Sequence, residues 1–237
     1  MIANKQYSPR SFKQFLNDTD QDYLARLTTI KLFDPSWTAQ WSRASQQHFA
    51  KTFYHLRGHF HDFLWIMGNA APDSLRKDMI LANIAEEFGD NGHSHEMLYY
   101  RFAKALGIND PVREMVQQPS PYAFVEAFNQ GHHAWLYDHD WVSQQAAFSA
   151  YERLDNLDYP ALLRLAESFG LSAHERVFFT LHARVSHFDV TEHHLNRDWP
   201  TQPDLIIAGF DFIYRHQQHM WRQLSQIMEV YANAHPA

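Results

Sequence analysis

Three segments of the sequence bring imidazole and carboxylate side chains together. They are residues 86–95, with two glutamates and two histidines, Glu152, and residues 182–194, with four histidines and two acidic residues. Imidazole is a common ligand of iron, and carboxylate of iron or manganese. The chain has no cysteine, which excludes thiolate sites, and it has neither an H-E-x-x-H motif nor a Glu-x-x-His pair. These residues indicate a site that binds a first-row transition metal. Alternatively, they are polar residues exposed to solvent at the ends of helices.

The third segment contains two sets of residues at helical spacing. At 3.6 residues per turn, one stripe holds His182, Ser186, Asp189 and His193, and the other holds His187, Thr191 and His194. Two imidazoles and a carboxylate on one face of a helix can bind a metal. Alternatively, one stripe is solvated and the other forms a hydrogen-bonded polar layer.

The elements that must position these residues are predicted to be helices. Prolines precede or open amphipathic stretches, where a missing N–H costs least, and no segment alternates apolar and polar residues as a strand does. The predicted helices are 10–26, 37–68, 72–89, 95–106, 121–137, 140–156, 160–169, 173–197 and 203–233. The sequence therefore predicts one all-α domain, residues 1–237, of eight or nine helices.

The composition of the chain indicates what kind of core, binding partner and cellular compartment to expect. Hydrophobic residues make up 45% of the chain, enough for a sizeable core. The net charge of −7 does not favour nucleic acid. No apolar run approaches the ~20 residues of a membrane span, and the N-terminus lacks the apolar stretch of a signal peptide. We expect a cytoplasmic protein with a small-molecule substrate.

Four segments, in this order, resemble the heme-oxygenase-like superfamily. The resemblance is to the branch with pyrroloquinoline-quinone synthase C, the TenA-like proteins and the iron-containing redox enzymes, or helical di-iron oxidases. It is carried by Gln46-Gln47-His48-Phe49 through Leu64, by Asn83-x-x-Glu86-Glu87-x-Gly89 with His95-x-x-Leu98, by Glu152, and by Phe178-Phe179-x-Leu181-His182.

The resemblance implies a multi-helical bundle that holds metal inside. The ligands it implies are Glu86, His95, Glu152, His182, Asp189 and His193. The cofactor would be one or two non-heme irons, or manganese, and no heme is expected. The implied activity is that of an oxidoreductase that activates O₂ to oxidise a small organic substrate. Whether the chain forms a homodimer is left open.

Two positions depart from the family pattern and leave alternatives. The first histidine ligand is either His93 or His95. The last ligand helix of the family reads His-x-x-x-Asp-x-x-His, and from His182 this places Ser186 at the Asp position and Asp189 at the last His position. A register shifted by five residues instead gives His187, Thr191 and His194. Either register lacks the expected aspartate.

Two other functions compete with the oxidase. A cofactor-free enzyme like pyrroloquinoline-quinone synthase C would use the same residues as acid–base groups. A degenerate, non-catalytic binding protein would have lost its site, as the missing aspartate suggests. A thiaminase is disfavoured because there is no cysteine nucleophile. Heme oxygenase is disfavoured because the first histidine, His48, lies beyond the first helix.

Overall fold

A computed structural model describes residues 11–58, 60–89, 93–184 and 188–237. The α-helices are α1 Phe12–Leu27, α2 Pro35–Thr38, α3 Arg43–Arg57, α4 Phe60–Ala70, α5 Ser74–Phe88, α6 His95–Ala105, α7 Ala123–Tyr137, α8 Trp141–Ser168, α9 Val177–His182, α10 Asp189–Asp198 and α11 Pro203–Ala234. A 3₁₀ turn spans Lys31–Phe33 and a π-helical turn Val112–Val116. No described residue lies in a strand. The prediction of an all-α fold is therefore confirmed. Eight of the helices are long, in agreement with the predicted eight or nine.

Short polar side chains fix where most of the long helices begin. Ser11, Ser42, Asp73, Ser94 and Asp140 each accept a hydrogen bond from a backbone N–H in the first turn of α1, α3, α5, α6 and α8. Such caps satisfy donors that have no partner within the helix. They set the starts of α5 and α6, which matter most for the site described below.

Helix α8 continues through Pro160, where the sequence predicted a boundary between 140–156 and 160–169. An internal proline removes one helical hydrogen bond and costs about 3 kcal/mol. Burial outweighs this cost, because α8 crosses the core and most of its residues from Ser143 to Ala166 are buried. The prediction of two helices here was wrong.

Two other predicted helices are divided. The segment 37–68 contains the end of α2, all of α3 and most of α4, and α3 ends at Gly58, a residue that disfavours helix continuation. The segment 173–197 contains α9 and α10. Because α9 ends at His182 and Asp189 begins α10, residues 182–193 do not share one helical face.

The core lies along the contact between α8 and α11. Gly209 of α11 allows the two helices to approach closely, since a Cβ at this position would lie 2.7 Å from the backbone nitrogen of Ala147. A second apolar cluster joins α4, α5, α7 and α8 around Phe63, Ile80 and Phe148. Within the described ranges, no helix has the length and hydrophobicity that a bilayer span requires.

Candidate metal centre

Three helix ends converge on one group of possible metal ligands. Glu87 lies at the end of α5, His95 is the first residue of α6, and His182 is the last residue of α9. One ligand atom from each side chain lies within 4.8 Å of the other two. Among the described residues, no other group of three histidines or acids meets this criterion. We call Glu87, His95 and His182 the metal cluster.

A close approach of Gly89 to Ser94 accompanies the pairing of Glu87 with His95. Gly89 ends the helix in the left-handed conformation, with φ of +89°. A Cβ at Gly89 would lie 2.4 Å from the backbone nitrogen of Ser94. Ser94 in turn caps α6 by accepting from the N–H of Met97. Only glycine fits here, because both the positive φ and the close approach exclude a side chain.

His182 is held as a neutral imidazole. Its Nδ1 donates to the carbonyl oxygen of Phe178 over 2.8 Å, so in the neutral ring Nε2 carries the lone pair. The ring stacks on Tyr159 with centroids 4.4 Å apart. Burial, aided by the charge of His95, lowers the pKa of His182 to about 3. A neutral imidazole oriented by a backbone carbonyl is what metal ligation requires.

Glu87 and His95 form a charged contact in which the hydrogen-bonding capacity of His95 is not fully used. Nδ1 of His95 lies 3.0 Å from Oε2 of Glu87, yet the ring N–H is not aligned for a regular hydrogen bond. Burial opposes both charges. However, His61 and His95 lower the pKa of Glu87, and the carboxylate of Glu87 raises the pKa of His95. Glu87 is therefore an anion in contact with a buried imidazole whose Nδ1 makes no aligned hydrogen bond to any described residue.

A cavity adjoins the metal cluster. Its empty volume, including the open mouth, is about 590 Å³, and it is lined by the three cluster residues and by Tyr54, Arg57, Gly58, Phe60, His61, Glu96, Tyr99, Asp155, Tyr159 and Phe178. Arg57 and Asp155 form an ion pair in its wall, with both side chains less than a tenth exposed. A small molecule that entered this cavity would lie against both the metal cluster and the ion pair.

Glu152 lies fully buried on α8, three residues before Asp155. Burial, together with the charges of Asp155 and Glu87, raises its pKa well above the ordinary value. A raised pKa favours the neutral, protonated form of a carboxyl group. Glu152 is thus electrostatically coupled to the metal cluster without belonging to it.

The six residues predicted as ligands do not all lie in the metal cluster. His95 and His182 belong to the metal cluster. Glu86 is exposed, with Glu87 in the cluster beside it. His193 is exposed on α10, and the side chain of Asp189 lies outside what the structure describes.

The alternative ligands are also dispersed. His93 is exposed, two residues before the buried His95. His194 is half-buried on α10, whereas His187 lies outside the described residues. Thr191 is buried and donates its hydroxyl to the carbonyl oxygen of Phe188.

Helical phase could have identified Glu87 from the sequence. Ile80, Ile84 and Glu87 follow steps of four and three residues, so Glu87 shares the face of two buried isoleucines. Glu86 lies about 200° from Ile84 at 100° per residue. The pairing of Arg57 with Asp155, by contrast, joins positions 98 residues apart, and no local pattern indicates it.

Residues 47–197 match the sequence model of a family of iron-containing redox enzymes. This segment is more than half of the chain and includes all three residues of the metal cluster. The chain belongs to this family. No curated protein matches the sequence.

Solved structures show the fold of this iron-containing redox enzyme family member. A domain of unknown function with a heme oxygenase-like fold from Shewanella denitrificans is 13% identical, with a TM-score of 0.73, over 94% of this chain and 96% of that chain. A CADD-like protein of unknown function from Nostoc punctiforme is 18% identical, with a TM-score of 0.68, over 92% of this chain and 95% of that one. At these identities the likeness shows a heme oxygenase-like fold alone.

The metal cluster fits the iron that the family description implies. Two imidazoles and one carboxylate are the donor set of many non-heme iron(II) sites. Bonds of about 2.0–2.2 Å place the ligand atoms of one metal within roughly 4.4 Å of one another, close to the 4.8 Å observed. The buried Nδ1 of His95 that lacks a hydrogen-bond partner among the described residues is the further observation that a metal would account for.

Proposed function

We propose that this protein is an O₂-dependent oxidoreductase in which non-heme iron, held by Glu87, His95 and His182, oxidises a small organic substrate. The observation that carries the proposal is the convergence of these three side chains within 4.8 Å at the wall of a cavity. Iron(II) at such a site supplies the electrons that reduce O₂.

The protein residues would prepare the site in distinct ways. Glu87 supplies the negative charge, since its pKa is lowered by His61 and His95 despite burial. His182 supplies a neutral nitrogen oriented by Phe178. Aromatic rings of Tyr99, Tyr159 and Phe178 line the cavity and offer an apolar surface to a substrate.

Glu152 is the proposed proton store of the site. It is buried, and burial together with the charges of Asp155 and Glu87 raises its pKa. As a neutral acid it can donate a proton to a reacting group. On deprotonation it could instead serve as a further ligand, for a second iron or for manganese. The proposed ligand set thus retains His95 and His182 from the sequence prediction, takes Glu87 in place of Glu86, and keeps Glu152 as a reserve.

The test is metal content combined with O₂ uptake, on protein reconstituted anaerobically with iron(II). His95→Ala is compared with His93→Ala, because His93 is an exposed imidazole only two residues away. We expect about one iron per chain in the wild type and in H93A, and almost none in H95A. With ascorbate as reductant, only the two iron-containing proteins should consume O₂.

The other outcomes distinguish the competing functions. Absence of iron and manganese after reconstitution, with conversion of a bound substrate, would support a cofactor-free acid–base enzyme. Absence of both metal and turnover would support a non-catalytic binding protein. Equal iron in H95A and wild type would contradict the proposed ligand set.

A further inference from the structure

Arg57 has a buried donor that is not used. It lies at the end of α3, and its side chain is only 9% exposed. Nη2 donates to Oδ1 of Asp155 in a short contact. The guanidinium carbon lies 4.6 Å from the ring centroid of Tyr151 and 5.5 Å from that of Tyr159. Nη1 is buried and has no hydrogen-bond partner among the described residues.

A donor in this state is energetically costly. A buried N–H without an acceptor destabilises the fold, and more so when the group is charged. Arg57 cannot escape the cost by losing its proton: burial acts to lower its pKa, but Asp155 and the neighbouring tyrosines hold it well above the ordinary value. An acceptor that enters the cavity would remove the penalty.

A second arginine of the chain shows the contrast. Arg153 donates to Asp20 through both Nε and Nη2, over 3.0 Å and 2.6 Å. This bidentate contact is the usual geometry of an arginine–carboxylate pair. Arg57 makes only one such bond with Asp155, which orients the guanidinium and leaves Nη1 available.

We propose that Nη1 of Arg57 binds the carboxylate of the substrate, and that the substrate class is therefore small organic monocarboxylates. The inference rests on the proposed function in one respect, namely that the bound carboxylate is the molecule oxidised at the metal cluster. Arg57 is charged and fixed in place, and a planar carboxylate is the acceptor that a guanidinium pairs with best.

The lining of the cavity offers such a molecule a cationic group and apolar rings. Arg57 and the cluster residues line the same cavity of about 590 Å³. The Tyr159 ring, 5.5 Å from the guanidinium carbon, also lies 4.4 Å from the His182 ring. The carboxylate would be held one aromatic ring away from the metal, with the organic body against the rings of Tyr54, Phe60 and Phe178. Glu87 and Asp155 in the same wall disfavour a dianion such as a phosphate monoester.

The test compares two probes of equal shape, 3-phenylpropanoate and 3-phenylpropanamide. Their binding is measured by calorimetry with iron-replete and with chelator-treated protein. We expect the wild type to bind the carboxylate at least tenfold more tightly than the amide in both preparations. The double variant Arg57→Gln/Asp155→Asn should bind both probes equally. It removes the two charges together, so that neither is left buried alone.

Arg26→Gln is the matched control, because Arg26 also pairs with an aspartate but lies exposed in α1. It should keep the preference for the carboxylate. Equal binding of the two probes by the wild type, or a preference that survives in the double variant, overturns the inference. A preference that disappears on chelation also overturns it, since the metal would then be the anchor, and in that case the metal centre itself stands. A preference that persists in protein unable to bind iron supports the role of Arg57 while the proposed oxidase fails.

Discussion

Two regions of the molecule contain buried ionisable groups and differ in how completely these groups are hydrogen-bonded. In the Asp158 network, Oδ1 of Asp158 accepts from the hydroxyl of Tyr23 over 2.8 Å and Oδ2 accepts from Nε1 of Trp221 over 2.9 Å. In the metal cluster, by contrast, the buried Nδ1 of His95 forms no hydrogen bond with any described residue. The network joins α1, α8 and α11, whereas the cluster joins α5, α6 and α9.

The difference shows that burial of ionisable groups does not by itself mark a functional site. Burial raises the pKa of Asp158 to about 7 and lowers the pKa of His182 to about 3. Both shifts are large. Asp158, however, has used both oxygens to hold three helices together, while the cluster keeps ligand atoms available beside a cavity. Unused hydrogen-bonding capacity distinguishes a site that can bind from a network that stabilises.

The largest expected effect is the loss of metal on replacing His182 by alanine. Groups that only orient a metal ligand are worth about 10–100-fold in affinity, so removing a ligand should weaken iron binding by more than about 100-fold. His193→Ala, an exposed histidine of α10, is the matched control. Titration against a competing chelator gives both affinities. Equal affinities would show that His182 does not bind the metal.

Asp158→Ala should have the opposite profile, with loss of stability and no loss of metal. It leaves the hydroxyl of Tyr23 and the N–H of Trp221 buried without their acceptor, which should cost about 3 kcal/mol in the free energy of unfolding. Urea denaturation measures this cost. Asp211→Ala, which removes an exposed ion pair with Arg215, should change stability by no more than about 0.5 kcal/mol. A fall in iron content in D158A would contradict the separation of the two regions.

Asp158→Asn should remove a pH dependence of stability. The pKa of Asp158 is raised from 3.8 to about 7, so between these values the folded state binds more protons than the unfolded state. Its contribution is therefore fully present below pH 3.8 and lost as the pH rises through about 7. The stability of the wild type relative to D158N should fall by at most about 4 kcal/mol from pH 4 to pH 8. Urea denaturation of metal-free protein checks this, and parallel pH profiles would rule it out.

The sequence predicts most accurately those helices whose bounds are determined by their own residues. The last helix is an example: residues 203–233 were predicted from the helical period of Ile213, Met220 and Leu224, and α11 spans Pro203–Ala234. Pro160 misled the prediction because tertiary burial of α8 outweighs a local cost. The break between α9 and α10 has no glycine or proline in the sequence to mark it, so the periodic histidines suggested one continuous helix.

The site could be predicted only where a ligand lies next to a structural signal. His95 follows the capping Ser94, and His182 follows the buried Phe178 and Phe179 by helical steps. The aromatic and ionic walls of the cavity come from α3, α4, α5, α6, α8 and α9, and the approach of these helices is set by packing over long sequence separations. No spacing in the sequence encodes that Arg57 meets Asp155.

The smallest expected effect concerns the two adjacent glutamates, which differ by one residue in position and by about 100° in direction around the helix. Glu86 is exposed, and its charge helps to raise the pKa of His95 and that of Glu152. Glu86→Gln should therefore change iron affinity by less than about fivefold, the worth of an exposed charge interaction, and leave the unfolding free energy within about 0.5 kcal/mol.

Glu87→Gln is the matched comparison, because it removes the same charge from the neighbouring position. It replaces the anionic ligand of the metal cluster with a neutral amide, a weaker ligand that cannot offset the charge of iron(II). Iron content after desalting should then fall to nearly zero in E87Q and stay at the wild-type level in E86Q. The reverse result would mean that Glu86 supplies the ligand, as the family resemblance implied, and that α5 is rotated by about 100° at its last turn relative to Ile80 and Ile84.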